Sequence, residues 1–145
     1  MNQRLLLFLA LVFVSLVILQ AATGAVVFGQ LVGLTPDTVL KYYADKSLHG
    51  LLEVTLPHTL FIAIALMASL HFLAFIQAIP LKEKQRMIYL LFVLFAFDQS
   101  SPILIAQGFS LFAYVKIGAF FGFEIALCWM WMMIFRSIFI RQYRD

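Results

Sequence analysis

The side chains in this sequence best able to do chemistry are His49, Glu53, His58, His71, Asp98, Lys116 and Glu124. The last four fall inside long apolar runs, where an ionisable group is costly and marks either a functional site or an interhelical pair. Counted from the outer ends of the expected helices, Asp98 lies roughly 12 Å down and Lys116 roughly 9 Å, while His71 and Glu124 both lie roughly 21 Å down. The depths predict two matched pairs, Asp98–Lys116 and His71–Glu124, each joining different helices. Three chemistries compete for them. The pairs can be glue, because buried polar groups need partners and interhelical contacts supply them. His71–Glu124 can be a proton relay or a quinone-binding pair near the midplane. The third is a b-type haem, since helical bundles build cofactor sites from facing helices.

The haem reading uses His58 and His71 as cofactor-binding residues. On one helix at 100° per residue they stand roughly 140° apart, so they cannot ligate one haem face to face. A single haem would lie between His71 and Met130, Met132 or Met133 of the last helix, or between two protomers. Those methionines are equally ordinary packing residues. A metal reading draws on His49, Glu53 and His58: the first two are i,i+4 on one helical turn, and the set suits a divalent ion. Against it, Glu53 is also the acid expected near the positive end of a helix starting at Pro57. The sequence carries no Gly-rich phosphate loop and no zinc-protease motif. With no nucleophile–base–acid set either, a stand-alone enzyme is not expected.

The elements that must position these residues follow from composition. Of 145 residues, 64% are hydrophobic and 12% charged, against about 25% charged in soluble domains. That is an integral membrane protein in contact with a lipid bilayer, organised as a single transmembrane domain over residues 1–145. The formal charge of +3 does not point to nucleic acid. The basic residues cluster beside apolar runs, at Lys82, Lys84 and Arg86 and at Arg136, Arg141 and Arg144. The single cysteine, Cys128, excludes an internal disulfide, a zinc ribbon and a c-type haem box.

Hydropathy predicts an all-α fold: four transmembrane helices, about 5–29, 57–79, 86–106 and 110–136, running up-down-up-down. After Arg4 the run Leu5–Phe28 is free of charge, and its roughly 36 Å of helix span a bilayer. A cleaved signal peptide ending near Ala21–Ala25 competes, but the apolar core is longer than signals carry. Ala21, Ala25, Gly29 and Gly33 form a small-residue ridge on which another helix can dock, as do Gly118, Gly122 and Ala126. Residues 34–56 read as an interfacial helical hairpin. Thr35-Pro36-Asp37 starts its first helix, Asp37–Lys41 is an i,i+4 pair, and Ser47 caps a second short helix through Leu48, Leu51 and Leu52. The second span stops at Pro80. Pro102, inside the third, frees the Asp98 carbonyl and predicts a kink. Trp129 and Trp131 are expected at an interface.

The basic clusters put both termini in the cytoplasm and the 34–56 loop outside, which in a bacterium is the periplasmic face of the inner membrane. The run Tyr42 to His58, then His71, then Asp98 to Pro102, resembles a group of functionally unassigned small four-helix proteins of bacterial inner membranes. The resemblance covers roughly residues 36–125. It implies the fold and the membrane, and singles out Lys46, Ser47, Glu53, His58, His71 and Asp98, with no activity attached. The expected function is a small subunit of a larger, respiratory or redox membrane complex, with a structural, cofactor- or quinone-supporting role. Its partners would be other membrane subunits or further copies of itself. The alternatives are a b-type haem electron-transfer protein and a small proton- or ion-coupled transporter using the intramembrane pairs.

Overall fold

The computed structural model describes residues 3–142. Over them the chain is all-helical: α1 (Gln3–Val27) runs into a π-helical turn (Phe28–Val32), followed by α2 (Pro36–Ala44), α3 (Leu48–Phe75), α4 (Leu81–Ala106) and α5 (Phe112–Gln142). α1 with its π turn, α3, α4 and α5 are each long and apolar enough to cross a membrane. The protein is an integral membrane protein built as a four-helix bundle. Arg144 lies outside the described residues, as do the side chains of Arg4 and Arg141.

The α1 end is sharper than hydropathy predicts. The Gly33 N–H donates to the Phe28 carbonyl at 2.9 Å, a wider loop than α-helix allows. Gly33 itself sits at φ 91°, and any side chain there would run into Thr38. Only glycine permits that reversal. Thr35 then caps α2 by accepting from the Thr38 N–H, with Thr38 reciprocating and Pro36 in the first turn, as the sequence predicts. Asp37 and Lys41 do not close into an ion pair: among the described residues the ion pairs are His49–Glu53 and Lys116–Asp98.

The expected hairpin is half correct. α2 is a separate short helix, but Ser47, which accepts from the Gly50 N–H at 3.2 Å, caps the long α3 rather than a second short one. Pro57 lies inside α3. Its missing N–H affects only the Glu53 carbonyl, too small a defect to break a helix packed on both sides of it. α3 also stops early, at Phe75, and Lys84 Nζ donates to the Ala74 carbonyl at 3.1 Å, closing its end. Pro80 begins α4 rather than ending α3: its carbonyl accepts from Glu83 and Lys84 N–H at 3.0 and 3.1 Å. Pro102 is interior to α4.

α4 and α5 make the most extensive contact of the bundle. Gly122 permits it, with Leu94 3.1 Å from where a Cβ would stand, whereas Gly118 faces open space. α1 is held through Ala10, Val14 and Val17, all buried. Its predicted ridge is half-buried at Ala21, Ala25, Gly29 and Gly33, and α2 closes on its Gly33 end through Thr38. Two cores result. One, away from α2, joins Val14, Leu66, Leu91, Leu127, Met130 and Trp131. The other, under α2, joins Phe28, Val32, Val39, Ile105 and Ala113. Trp131 is 2% exposed and Trp129 57%: one tryptophan is core, the other faces outward.

Candidate functional site

Asp98 of α4 and Lys116 of α5 meet toward the α2 end of the bundle. Lys116 Nζ donates to Asp98 Oδ1 at 2.6 Å and to the Asp98 backbone carbonyl at 3.1 Å. That carbonyl is the one Pro102 leaves free, because proline has no N–H to offer it. The lysine therefore repairs the helix defect and neutralises the carboxylate with one group. The Phe28 ring of the π turn lies 5.8 Å from the same nitrogen, within cation–π range. Gln99 Nε2 donates to the other carboxylate oxygen, Oδ2, at 2.7 Å. Gln99 Oε1 in turn accepts from Thr59 Oγ1 of α3 at 2.6 Å. Ser101 Oγ donates to the Phe97 carbonyl. The charged side chains are 8% and 9% exposed. One network thus ties α3, α4 and α5 together, with both carboxylate oxygens of Asp98 and the Lys116 ammonium each hydrogen-bonded.

α2 covers this network from outside. Burial pushes the Tyr43 hydroxyl well above the usual phenol range, and the charge of Asp98 and then Tyr42 push it further. It stays a neutral group over the buried carboxylate. His58 feels the charges of both Lys116 and Asp98 but is exposed and makes no bond to either.

Glu124 is the opposite case. It lies at the middle of α5's apolar stretch, Phe112–Ile138, and its Oε2 is buried without a hydrogen-bond partner. The expected His71–Glu124 pair does not form. His71 is two positions from each of Ser69 and Leu73, which α3 buries in the bundle, so it points roughly 160° away from them. It is exposed, stacking edge-on against Phe75 at 4.7 Å. It also stands one turn from the end of α3, about 6 Å, rather than at the midplane, because α3 stops at Phe75.

The expected metal set does not converge either. His49 Nε2 and Glu53 Oε1 are 3.1 Å apart with side chains 85% and 66% exposed. Because α3 is continuous through Pro57, His58 follows roughly 140° round the helix from Glu53. Among the described residues no group of three His, Cys, Asp or Glu could hold a metal ion. The haem set fares the same way: His58 and His71 are exposed on α3, while Met130 is fully buried in the core away from α2. These residues do not fit a haem held within one chain.

Sequence reasoning missed Gln99, Thr59 and Tyr43. The signal for the first two was present, since Gln99 follows Asp98 and Thr59 follows His58, both already singled out. Tyr43 lies in the segment the sequence reads as an interfacial hairpin, and only the fold of α2 brings it near the charge of Asp98.

Fold and site together define a small polytopic helical membrane protein locked by one buried ion-pair network. The chain belongs to the Aq_1264_TM family, a transmembrane helical domain whose family model matches residues 33–145. The match runs from Gly33 through α2–α5 and leaves α1 outside. No curated protein and no solved structure shows significant similarity to the chain.

Proposed function

We propose that the protein is a non-catalytic subunit of a larger membrane complex in a bacterial inner membrane. The observation that carries this is His71 on the outside of α3. His71 is exposed, on a helix apolar enough to span a membrane, and no group among the described residues hydrogen-bonds to it. Imidazoles in spanning helices almost always face protein or a water-filled cavity rather than lipid. A neighbouring polypeptide on α3 gives His71 that environment. The half-open ridge of α1 supports the same reading, since small residues in a membrane helix favour close approach of another. The burial of the Asp98–Lys116 network and its bonds across three helices support a holding role.

Orientation follows the basic residues. Lys82, Lys84, Arg86 and Arg136 gather at one end, whereas Lys41 and Lys46 at the other are outnumbered by Asp37, Asp45 and Glu53. The first end belongs in the cytoplasm.

Site-specific photo-crosslinking in native membranes tests the reading. A photoreactive residue at position 71 should give a discrete adduct with a second polypeptide. One at Ile125, exposed on α5, serves as comparison. If position 71 gives lipid adducts alone and the solubilised protein migrates as a lone monomer, the proposal fails.

A further inference from the structure

Two hollows in the molecule differ in what they offer. One, of about 190 Å³ between α1 and α5, is apolar: Glu124 and Trp131 line it, but their Oε2 and Nε1 atoms are buried in its walls. The other, of about 480 Å³, lies between the π turn and α2 and is lined by charged side chains open to the surroundings. Its one wall is the end of the first span, Gln30 to Gly33. Its other wall comes from α2. Thr38, Lys41, Tyr42 and Asp45 stand at i, i+3, i+4 and i+7, which is one face of a helix. Val39 and Tyr43 lie on the opposite side and pack over the Ile105–Ala113 core. Gly33 and Thr38, too close to admit any side chain between them, join the two walls.

The charges of this cleft are unspent. Lys41, Asp45 and Lys46 form no ion pair among the described residues. Lys46 is nonetheless held in place, its Nζ 4.4 Å from the centre of the Tyr42 ring, within cation–π range. The depth of the cleft is set by α1, whose apolar span ends at Val32. That is where hydrocarbon gives way to headgroups. Leu31 and Val32 offer the cleft an apolar side, and the α2 residues a polar one.

We propose that the cleft binds the headgroup of a phosphoethanolamine-type phospholipid. The inference does not depend on whether α3 docks a second subunit. Two ammonium groups, Lys41 and Lys46, can donate to the phosphate oxygens. The Asp45 carboxylate can accept from the lipid's primary amine. The amide of Gln30 adds a donor. The acyl chains run from the headgroup along Leu31, which is 62% exposed. A lone inorganic ion would leave most of the volume and the apolar side unused. A purely anionic headgroup would leave Asp45 facing a negative charge.

The test is native mass spectrometry of the full chain in detergent, titrated with phosphatidylethanolamine, phosphatidylcholine or phosphatidylglycerol of the same acyl chains. The first phosphatidylethanolamine should bind most tightly, because the choline group has no N–H to donate and the glycerol group has no charge. Lys41→Ala/Lys46→Ala should weaken it about tenfold or more, the loss of charge-assisted hydrogen bonds to phosphate. Lys41→Arg/Lys46→Arg keeps both charges and should retain it. Asp45→Asn should weaken phosphatidylethanolamine about threefold, as for an exposed ion pair, and remove its advantage over phosphatidylglycerol. Lys82→Ala, exposed at the other end of the bundle, should change nothing. All of these positions are on the surface, and far-UV circular dichroism checks that each variant is folded. A first lipid bound equally by the parent and by the Lys41/Lys46 alanine variant is annular lipid only and overturns the proposal. Equal affinity for the three headgroups overturns it too, as does displacement of the lipid by inorganic phosphate, which would make the cleft a site for a free anion.

Discussion

The bundle contains one buried acid, Asp98, and one half-buried acid, Glu124, and their surroundings differ completely. Asp98 lies in contact with a lysine, a glutamine and, through that glutamine, a threonine from a third helix. Glu124, about eight residues deeper along α5 than Lys116, has a buried oxygen with no partner. The same lipid environment penalises both. The difference teaches that intramembrane charge does not by itself distinguish structure from function. Partnering does: an acid bonded across helices holds them together, and one with an unpartnered buried oxygen does not.

The comparison is broken most forcefully at Lys116. Lys116→Met leaves the Asp98 carboxylate buried, together with the carbonyl freed by Pro102. Breaking a buried pair by removing one partner costs about 3–5 kcal/mol. Unfolding by SDS in mixed micelles should show that loss, and the double variant Asp98→Leu/Lys116→Met should recover much of it. If the single variant is as stable as the parent, the network is not the lock described here.

Glu124→Leu should act with the opposite sign. It replaces an unpartnered carboxyl with an apolar side chain beside an apolar cavity and should raise stability by about 1–3 kcal/mol in the same assay. A destabilisation as large as that of Lys116→Met would mean that Glu124 has a structural partner, and the contrast between the two acids would collapse.

Smaller effects sharpen the picture. Gln99→Leu leaves Asp98 Oδ2 and Thr59 Oγ1 short of a bond each, and should cost about 1–2 kcal/mol. Thr59→Val should cost less, about 0.5–1 kcal/mol, because Gln99 keeps its bond to Asp98. Non-additivity of the two in a double-mutant cycle would show that the bridge from α3 acts through Gln99. Smallest of all should be Lys84→Met at the exposed end of α3, a few tenths of a kcal/mol.

Much of this was legible in the sequence. Hydropathy gives the four spans, because a run of some 20 apolar residues has few other uses. Thr35-Pro36 gives the α2 start, because capping is local chemistry. Asp98–Lys116 could be matched by depth since both lie close to the ends of their helices, where register error is small. His71–Glu124 could not. Depth was counted from boundaries that the fold moved: α3 begins at Leu48 and ends at Phe75, not at Pro57 and Ile79. Rotation was unconstrained, because a helix apolar all round carries no stripe to say which face turns inward. The same lack of a stripe hid which tryptophan is core.

The sequence by itself therefore determined the class of object, the number of spans, the cap of α2 and the carbonyl that Pro102 releases. All of these depend on residues a few positions apart. Only the tertiary structure decided which charges meet, that His71 faces outward, and that Glu124 and Trp131 line one cavity. Those depend on the rotation and sliding of whole helices against one another. In lipid, where every face of a spanning helix is apolar, those two freedoms are fixed by close packing at residues such as Gly122 and Leu94 and leave no periodic trace in the chain.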